Sequence, residues 1–155
     1  MNTPNATVRR VDHAAIRVNQ VCTIALLLLA FVLNAPWLAA IVALCNLAGA
    51  VAPTLSPFRR LYEHVLKPRG WMAPNVITDN PEPHRFAMGV GGVFVGLGVL
   101  ALLLGAPVVG WGLVWLVIGL AALNLFLGFC MGCFMYYQLN RLGIPGFSYS
   151  PVERS

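Results

Sequence analysis

"ALLLGAPVVGWGLVWLVIGLAALNLFLGFCMGCFMYYQLN", from Ala101 to Asn140, holds no aspartate, glutamate, lysine or arginine. The charge-free block reaches back to Phe86, and a second one runs from Val18 to Phe58. Both are filled with Leu, Val, Ala and Gly. Each is long enough for two transmembrane helices of about 20 residues. Over all 155 residues only 10% are charged and 59% are hydrophobic, whereas a soluble domain carries about 25% charged residues. The expected class is an all-α, polytopic protein of the cell membrane. Arg9, Arg10 and Arg17 precede the first apolar run without a small-residue cleavage site after it, so that run is expected to be retained.

Each block splits at a short turn: "LNAPW" (Leu33 to Trp37) in the first and "LGAPV" (Leu104 to Val108) in the second. Asn and Gly favour turns, and Pro suits the first position of the helix that follows. The spacing predicts four helices, about 15–33, 37–55, 86–104 and 108–137, arranged as two tandem hairpins. They form one membrane domain over 1–155, with a loop at 56–85 and a tail at 141–155. "ALCNLAGA" (Ala43 to Ala50) echoes "ALNLFLGF" (Ala122 to Phe129) late in the second helix of each pair. Asn46 and Asn124 hold similar places there and are expected to link the halves by hydrogen bonding across the bundle.

The net charge of +5 sits beside the apolar blocks and points to lipid headgroups, not nucleic acid. Arg9, Arg10 and Arg17 precede the first block. Arg59, Arg60, Lys67, Arg69 and Arg85 lie between the blocks, and Arg141 and Arg154 follow the second. The two turns carry no charge. All ten basic residues therefore fall on one side, which the positive-inside rule makes cytoplasmic, with both termini. In the central loop, "SPFRRLYEHVLK" (Ser56 to Lys67) puts Phe58, Leu61, Tyr62, Val65 and Leu66 on one helical face. Its charged residues fall on the other. That is the pattern of an interfacial amphipathic helix, or equally of a short helix packed on the end of the bundle, capped by Ser56 and begun by Pro57. "APNVITDNPEPHRF" (Ala73 to Phe86) reads as an extended, Pro-rich linker.

The chain resembles a bacterial family of four-helix membrane proteins catalogued as domain of unknown function 4395. The likeness lies in the "FRRLYEHVLKPR" loop, the "DNPEPHRFA" lead-in to the third helix and the "GFCMGC" ending of the fourth. It covers about Val18 to Gln138. It implies a membrane location and an important cysteine pair, and no established activity.

Cys130 and Cys133 are the residues on which chemistry can rest. Three apart in a helix, they share a face at a distance that permits a disulfide. They fall near the inner boundary of the bilayer, where a cytosolic partner can reach them. Their place late in a helix opposes a thiolate, because the dipole there is negative. An activating cation must then come from elsewhere, and Arg17, His64, His84, Arg85 and Arg141 all lie on that side. On the residues alone plain helix packing leads, and it is the resemblance that moves thiol–disulfide exchange with a cytosolic thioredoxin-like or sulfur-carrying protein ahead of it. Two alternatives stay open. Cys130 and Cys133, with thioethers from Met131 and Met135 nearby, can hold a thiophilic metal such as Cu(I). Or the protein is a non-enzymatic membrane scaffold, or self-associates, and Gly128 and Gly132 form a small-residue packing face in which the cysteines are filler. Cys22 and Cys45 read as packing residues. No cofactor is expected. No P-loop, dinucleotide fingerprint or Ser-His-Asp arrangement occurs.

Overall fold

The computed structural model describes residues 10–146. Arg9, Glu153 and Arg154 lie outside the described residues, as does the end of the expected tail. Helix α1 (His13–Val32) and helix α2 (Pro36–Val51) form the first pair, and α4 (Pro81–Leu103) and α5 (Pro107–Leu127) the second. Between the pairs a short α3 (Pro57–Leu61) widens into a π turn over Tyr62–Leu66. A last helix, α6 (Met131–Arg141), follows α5. Three helices, His13–Val32, Pro81–Leu103 and Pro107–Leu127, are long and apolar enough to cross a membrane. Helix α2 is apolar but has only 16 residues. It stops short of the expected residue 55 because Pro53 forces Ala52 into an extended conformation.

The four long helices form a ring in which α1 touches α2 and α5, and α4 touches α2 and α5. Leu27, Ala30, Ala39, Val42, Val95 and Val114 are buried at its centre. The short turns make sequential helices antiparallel. The starts of α1 and α4 and the ends of α2 and α5 therefore meet at one end of the ring. The central loop and α6 lie at that same end.

Two features depart from the expected layout. The linker before α4 contains β2 (Val76–Thr78), which pairs antiparallel with β1 (Arg10–Asp12) in the register Arg10↔Thr78, Asp12↔Val76. Asp12 fixes this corner. It caps α1 by accepting from the Ala14 N–H at 3.0 Å, and it accepts the Asn75 N–H at 3.1 Å and the Tyr62 hydroxyl at 2.9 Å. The face of the Ser56–Lys67 segment that reads as interfacial is also only partly turned outward. Phe58 and Tyr62 are buried, Tyr62 against Ala14 and Val18 of α1, and Leu61 is exposed. Pro57 does begin α3, but the Ser56 side chain makes no capping bond.

Candidate functional site

The helix expected over 108–137 is two helices. α5 ends at Gly128, which takes the left-handed conformation (φ 67°) that favours glycine. Its N–H bonds the Asn124 carbonyl at 3.0 Å, closing the helix. At about 1.5 Å per residue the 21 residues of α5 cover about 31 Å, one hydrocarbon thickness. The break thus falls where a span would leave the apolar layer. Phe129 belongs to no regular element, Cys130 is extended backbone, and α6 starts afresh at Met131.

The restart reverses the electrostatics expected at the cysteines. Cys130 is the N-cap of α6, and its sulfur accepts the Cys133 N–H at 3.2 Å. The positive end of a helix dipole and a backbone donor both face it, and both favour a thiolate. Cys130 and Cys133 have α-carbons 5.1 Å apart, and their sulfurs lie at disulfide distance. Cys130 is half-buried, whereas Cys133 is 9% exposed.

Gly132 sets what Cys133 meets. A β-carbon there would lie 2.5 Å from the Ala87 β-carbon and 2.6 Å from its α-carbon. Only glycine lets α6 approach α4 this closely. Gly128 and Gly132 are therefore not two steps of one packing face: the first ends a helix and the second seats the next. One turn before Ala87 on α4 stands His84, whose Nδ1 is 3.5 Å from the Cys133 sulfur. Of the cations and imidazoles weighed from the sequence, His84 is the one placed against the pair. Arg85 instead donates to the Ala50 and Val51 carbonyls at the end of α2, at 2.9 and 2.6 Å. His64 pairs with the Arg60 carbonyl at 3.0 Å.

Behind His84 stands Asp79, with Oδ2 3.0 Å from His84 Nε2 and 3.2 Å from His13 Nε2. Burial alone would raise the Asp79 carboxyl. The His84 hydrogen bond, the Asn80 N–H and the charge of the two imidazoles outweigh it and hold the carboxyl below its ordinary value. Cys133, His84 and Asp79 thus form a line of thiol, base and orienting carboxylate. With Cys130 close by, the ligand atoms of His84, Cys130 and Cys133 all lie within 4.8 Å of one another, as do those of His13, Asp79 and His84. The first set suits a thiophilic ion. Cys22 packs against the Tyr62 cluster, and Cys22 and Cys45 are free thiols.

A cavity of about 210 Å³ runs from Cys130 into the helix ring, lined by Asn19, Thr23, Asn46, His84 and Asn124 among apolar side chains. Asn46 and Asn124 share this cavity without the bond expected between them. Asn46 pairs with α1 instead, accepting from Asn19 and donating to Thr23 at 3.5 Å each.

No curated protein and no solved structure matches this chain. A family does, over residues 11–141, a stretch that holds the capping Asp12, His84 with Asp79, and the whole Cys130–Cys133 restart. The chain belongs to that family, described as Domain of unknown function (DUF4395).

Proposed function

We propose that this is a multi-pass membrane protein that exchanges disulfides with a cytosolic thioredoxin-like or sulfur-carrying partner through Cys130 and Cys133. The observation that carries the reading is the pair's position at a helix N-terminus, with the His84–Asp79 dyad against the inner sulfur. Four crossings in two tandem hairpins, with α2 as the shortest, bring both termini and the basic loop to the cytoplasmic face. There, exposed Phe129, Met131 and Phe134 give a partner an apolar surface around Cys130.

The roles follow from exposure and neighbours. A partner thiolate attacks the accessible Cys130 sulfur of the disulfide. The S–S bond breaks, and Cys133 leaves as a thiolate that takes a proton from His84. The partner's second thiolate then attacks its own sulfur in the mixed disulfide. Cys130 leaves as a thiolate held by the α6 N-terminus. The partner ends oxidised and the pair reduced, and every step is reversible.

The test is the thiol state of the detergent-solubilised protein across glutathione potentials, read by alkylation mass shift. A reversible two-electron transition between about −300 and −120 mV is expected. Thiols that stay reduced throughout would remove the reading. In His84→Ala the exchange rate is expected to fall about 100-fold, the usual worth of a positioned acid–base group.

A metal reading is favoured by one observation, the convergence of His84 with both sulfurs. It requires stoichiometric Cu(I) binding to the reduced protein that is lost in the Cys130→Ser, Cys133→Ser double variant.

A further inference from the structure

We propose that the cavity beside Cys130 binds the ring of a lipid-soluble quinone, which withdraws two electrons from the cysteine pair. The proposal rests on the exchange reading and supplies the acceptor it lacks.

The lining selects the chemistry. Among the described residues no Lys, Arg, Asp or Glu lines the cavity. A phosphate-bearing or carboxylate-bearing ligand would lack a counter-charge there, so the occupant is neutral. Most of the wall is apolar, with Phe94, Val117 and Leu120 among the side chains. The polar part is made of amides, a hydroxyl and an imidazole. Asn19 is 9% exposed, and its Oδ1 is buried with no hydrogen-bond partner among the described residues. A buried acceptor of this kind is costly unless something donates to it. Amides carry a donor and an acceptor on one group. The second N–H of the Asn19 amide, the first being given to Asn46, can donate to a ring carbonyl before reduction, and Asn19 Oδ1 can accept from a ring hydroxyl after it. Few neutral apolar molecules present both forms in turn, and quinones do.

Placement points the same way. The cavity touches Cys130 at one end, and its lining residue Phe94, midway along α4, is also exposed on the outer surface of the bundle. In a membrane that surface faces lipid, the phase in which quinones travel. The size, about 210 Å³, accommodates a ring headgroup and is several times the share of one water, about 30 Å³.

The step balances. The Cys130 thiolate adds to a ring carbon. Cys133, its proton passed to His84, attacks the Cys130 sulfur. An S–S bond forms, the C–S bond breaks, and the electron pair returns to the ring. The two ring oxygens take up two protons, as many as the two thiols lose. Dithiol and quinone become disulfide and quinol.

The test uses the full chain in detergent, reduced and free of oxygen, with ubiquinone-1 as probe. Quinol is read by ultraviolet absorbance and the disulfide by alkylation mass shift. A parallel sample receives oxidised glutathione. One quinol per disulfide is expected. In Asn19→Leu the half-saturating quinone concentration should rise about tenfold, the order expected for a lost buried hydrogen bond, with the rate at saturation retained. Asn124→Leu makes the same test from α5 if the first variant does not fold. No quinol from a pair that glutathione does oxidise overturns the quinone site and leaves exchange standing; a water-filled cavity gives this result. A pair that neither oxidant closes overturns both readings. Quinol formed with unchanged half-saturation in both variants overturns the cavity as the place of reaction.

Discussion

Leu33 to Pro36 and Leu104 to Pro107 make the same turn. In the first, the N–H groups of Leu33, Asn34 and Ala35 bond the carbonyls of Leu29, Phe31 and Ala30. In the second, those of Leu104, Gly105 and Ala106 bond Leu100, Leu102 and Ala101, in the same pattern. Asn34 and Gly105 both take positive φ, 49° and 82°. At the other end of the bundle the two pairs diverge. α2 runs on past Asn46 to Val51 and passes into the basic loop. α5 is cut at Gly128, four residues after Asn124, and restarts as the helix that carries the cysteines. A turn built by backbone geometry can be used twice. Both cysteines sit where the second pair is interrupted, and only that restart puts a helix N-terminus under Cys130.

The most damaging way to break the contrast is to remove one sulfur at a time. Cys133→Ser should leave an accessible thiolate at the α6 N-terminus. It should accumulate a mixed disulfide with glutathione at Cys130, read by intact mass. Cys130→Ser leaves only the thiol that is 9% exposed and should accumulate almost none. Equal trapping in both variants would mean that the restart of the helix does not distinguish the two cysteines.

Gly132→Val attacks the seat of that helix. The added carbons meet Ala87 backbone, which cannot swing aside, and the cost should be near the top of the overpacking range, about 3 kcal/mol. Thermal unfolding in detergent measures it, and loss of the Cys133–His84 contact should slow exchange as well. Gly112, in α5 nearer the turn, has nothing within 4 Å of the place a β-carbon would occupy, so Gly112→Ala should be close to neutral. Equal costs would erase the difference between the two ends.

How the two ends differ also explains what the sequence disclosed. Composition and charge spacing led to the apolar helices and both turns, since a span must be apolar and a turn needs Asn or Gly before Pro. The cysteine pair stood out for its spacing. The break between Leu127 and Met131 did not, because apolar residues continue across it and hydropathy is blind to a single left-handed residue. Its signal was Gly128 itself, a helix-stopping glycine placed about 21 residues after Pro107. His84 was legible only as one imidazole among several on the same side. It reaches Cys133 through a close approach of α6 to α4, set by Gly132 and Ala87, residues far apart in the chain. His13 joins from the start of α1, equally far off in the chain, whereas Asp79 lies only five residues before His84. Tertiary proximity of this kind leaves no local pattern.

The ends should differ in pH response too, since neither turn contains a titratable group. Tyr62 is pushed up to about 12 by burial, by its hydrogen bond to Asp12 and by the negative charges of Asp12 and Glu63. Its folded value lies above the unfolded one of about 10. The stability it contributes is therefore complete below about pH 10 and is lost as pH rises through about 12. Tyr62→Phe should cost about 2 kcal/mol at neutral pH, the worth of a hydrogen bond to a carboxylate. It should also flatten the alkaline fall in melting temperature, and an unchanged alkaline profile would remove Tyr62 as its source.

The smallest expected effect tests the likeness itself. If the two turns are the same structure, the residue at the positive-φ position of one should serve in the other. Gly105→Asn places at φ 82° the residue type that Asn34 already holds at 49°. Asparagine enters this region more readily than other residues with a side chain, and nothing lies within 4 Å of the position a β-carbon would take at Gly105. The substitution should change stability by no more than about 0.5 kcal/mol, the usual range for an exposed site. Gly105→Val is the contrasting probe, since a β-branched residue tolerates positive φ poorly and should cost more than about 1 kcal/mol. If Asn costs as much as Val, the shared hydrogen bonds conceal different strain, and the two turns are alike in pattern only. If Asn is neutral and Val is not, one turn chemistry closes both helix pairs, and everything that separates them lies at the end where α5 is broken.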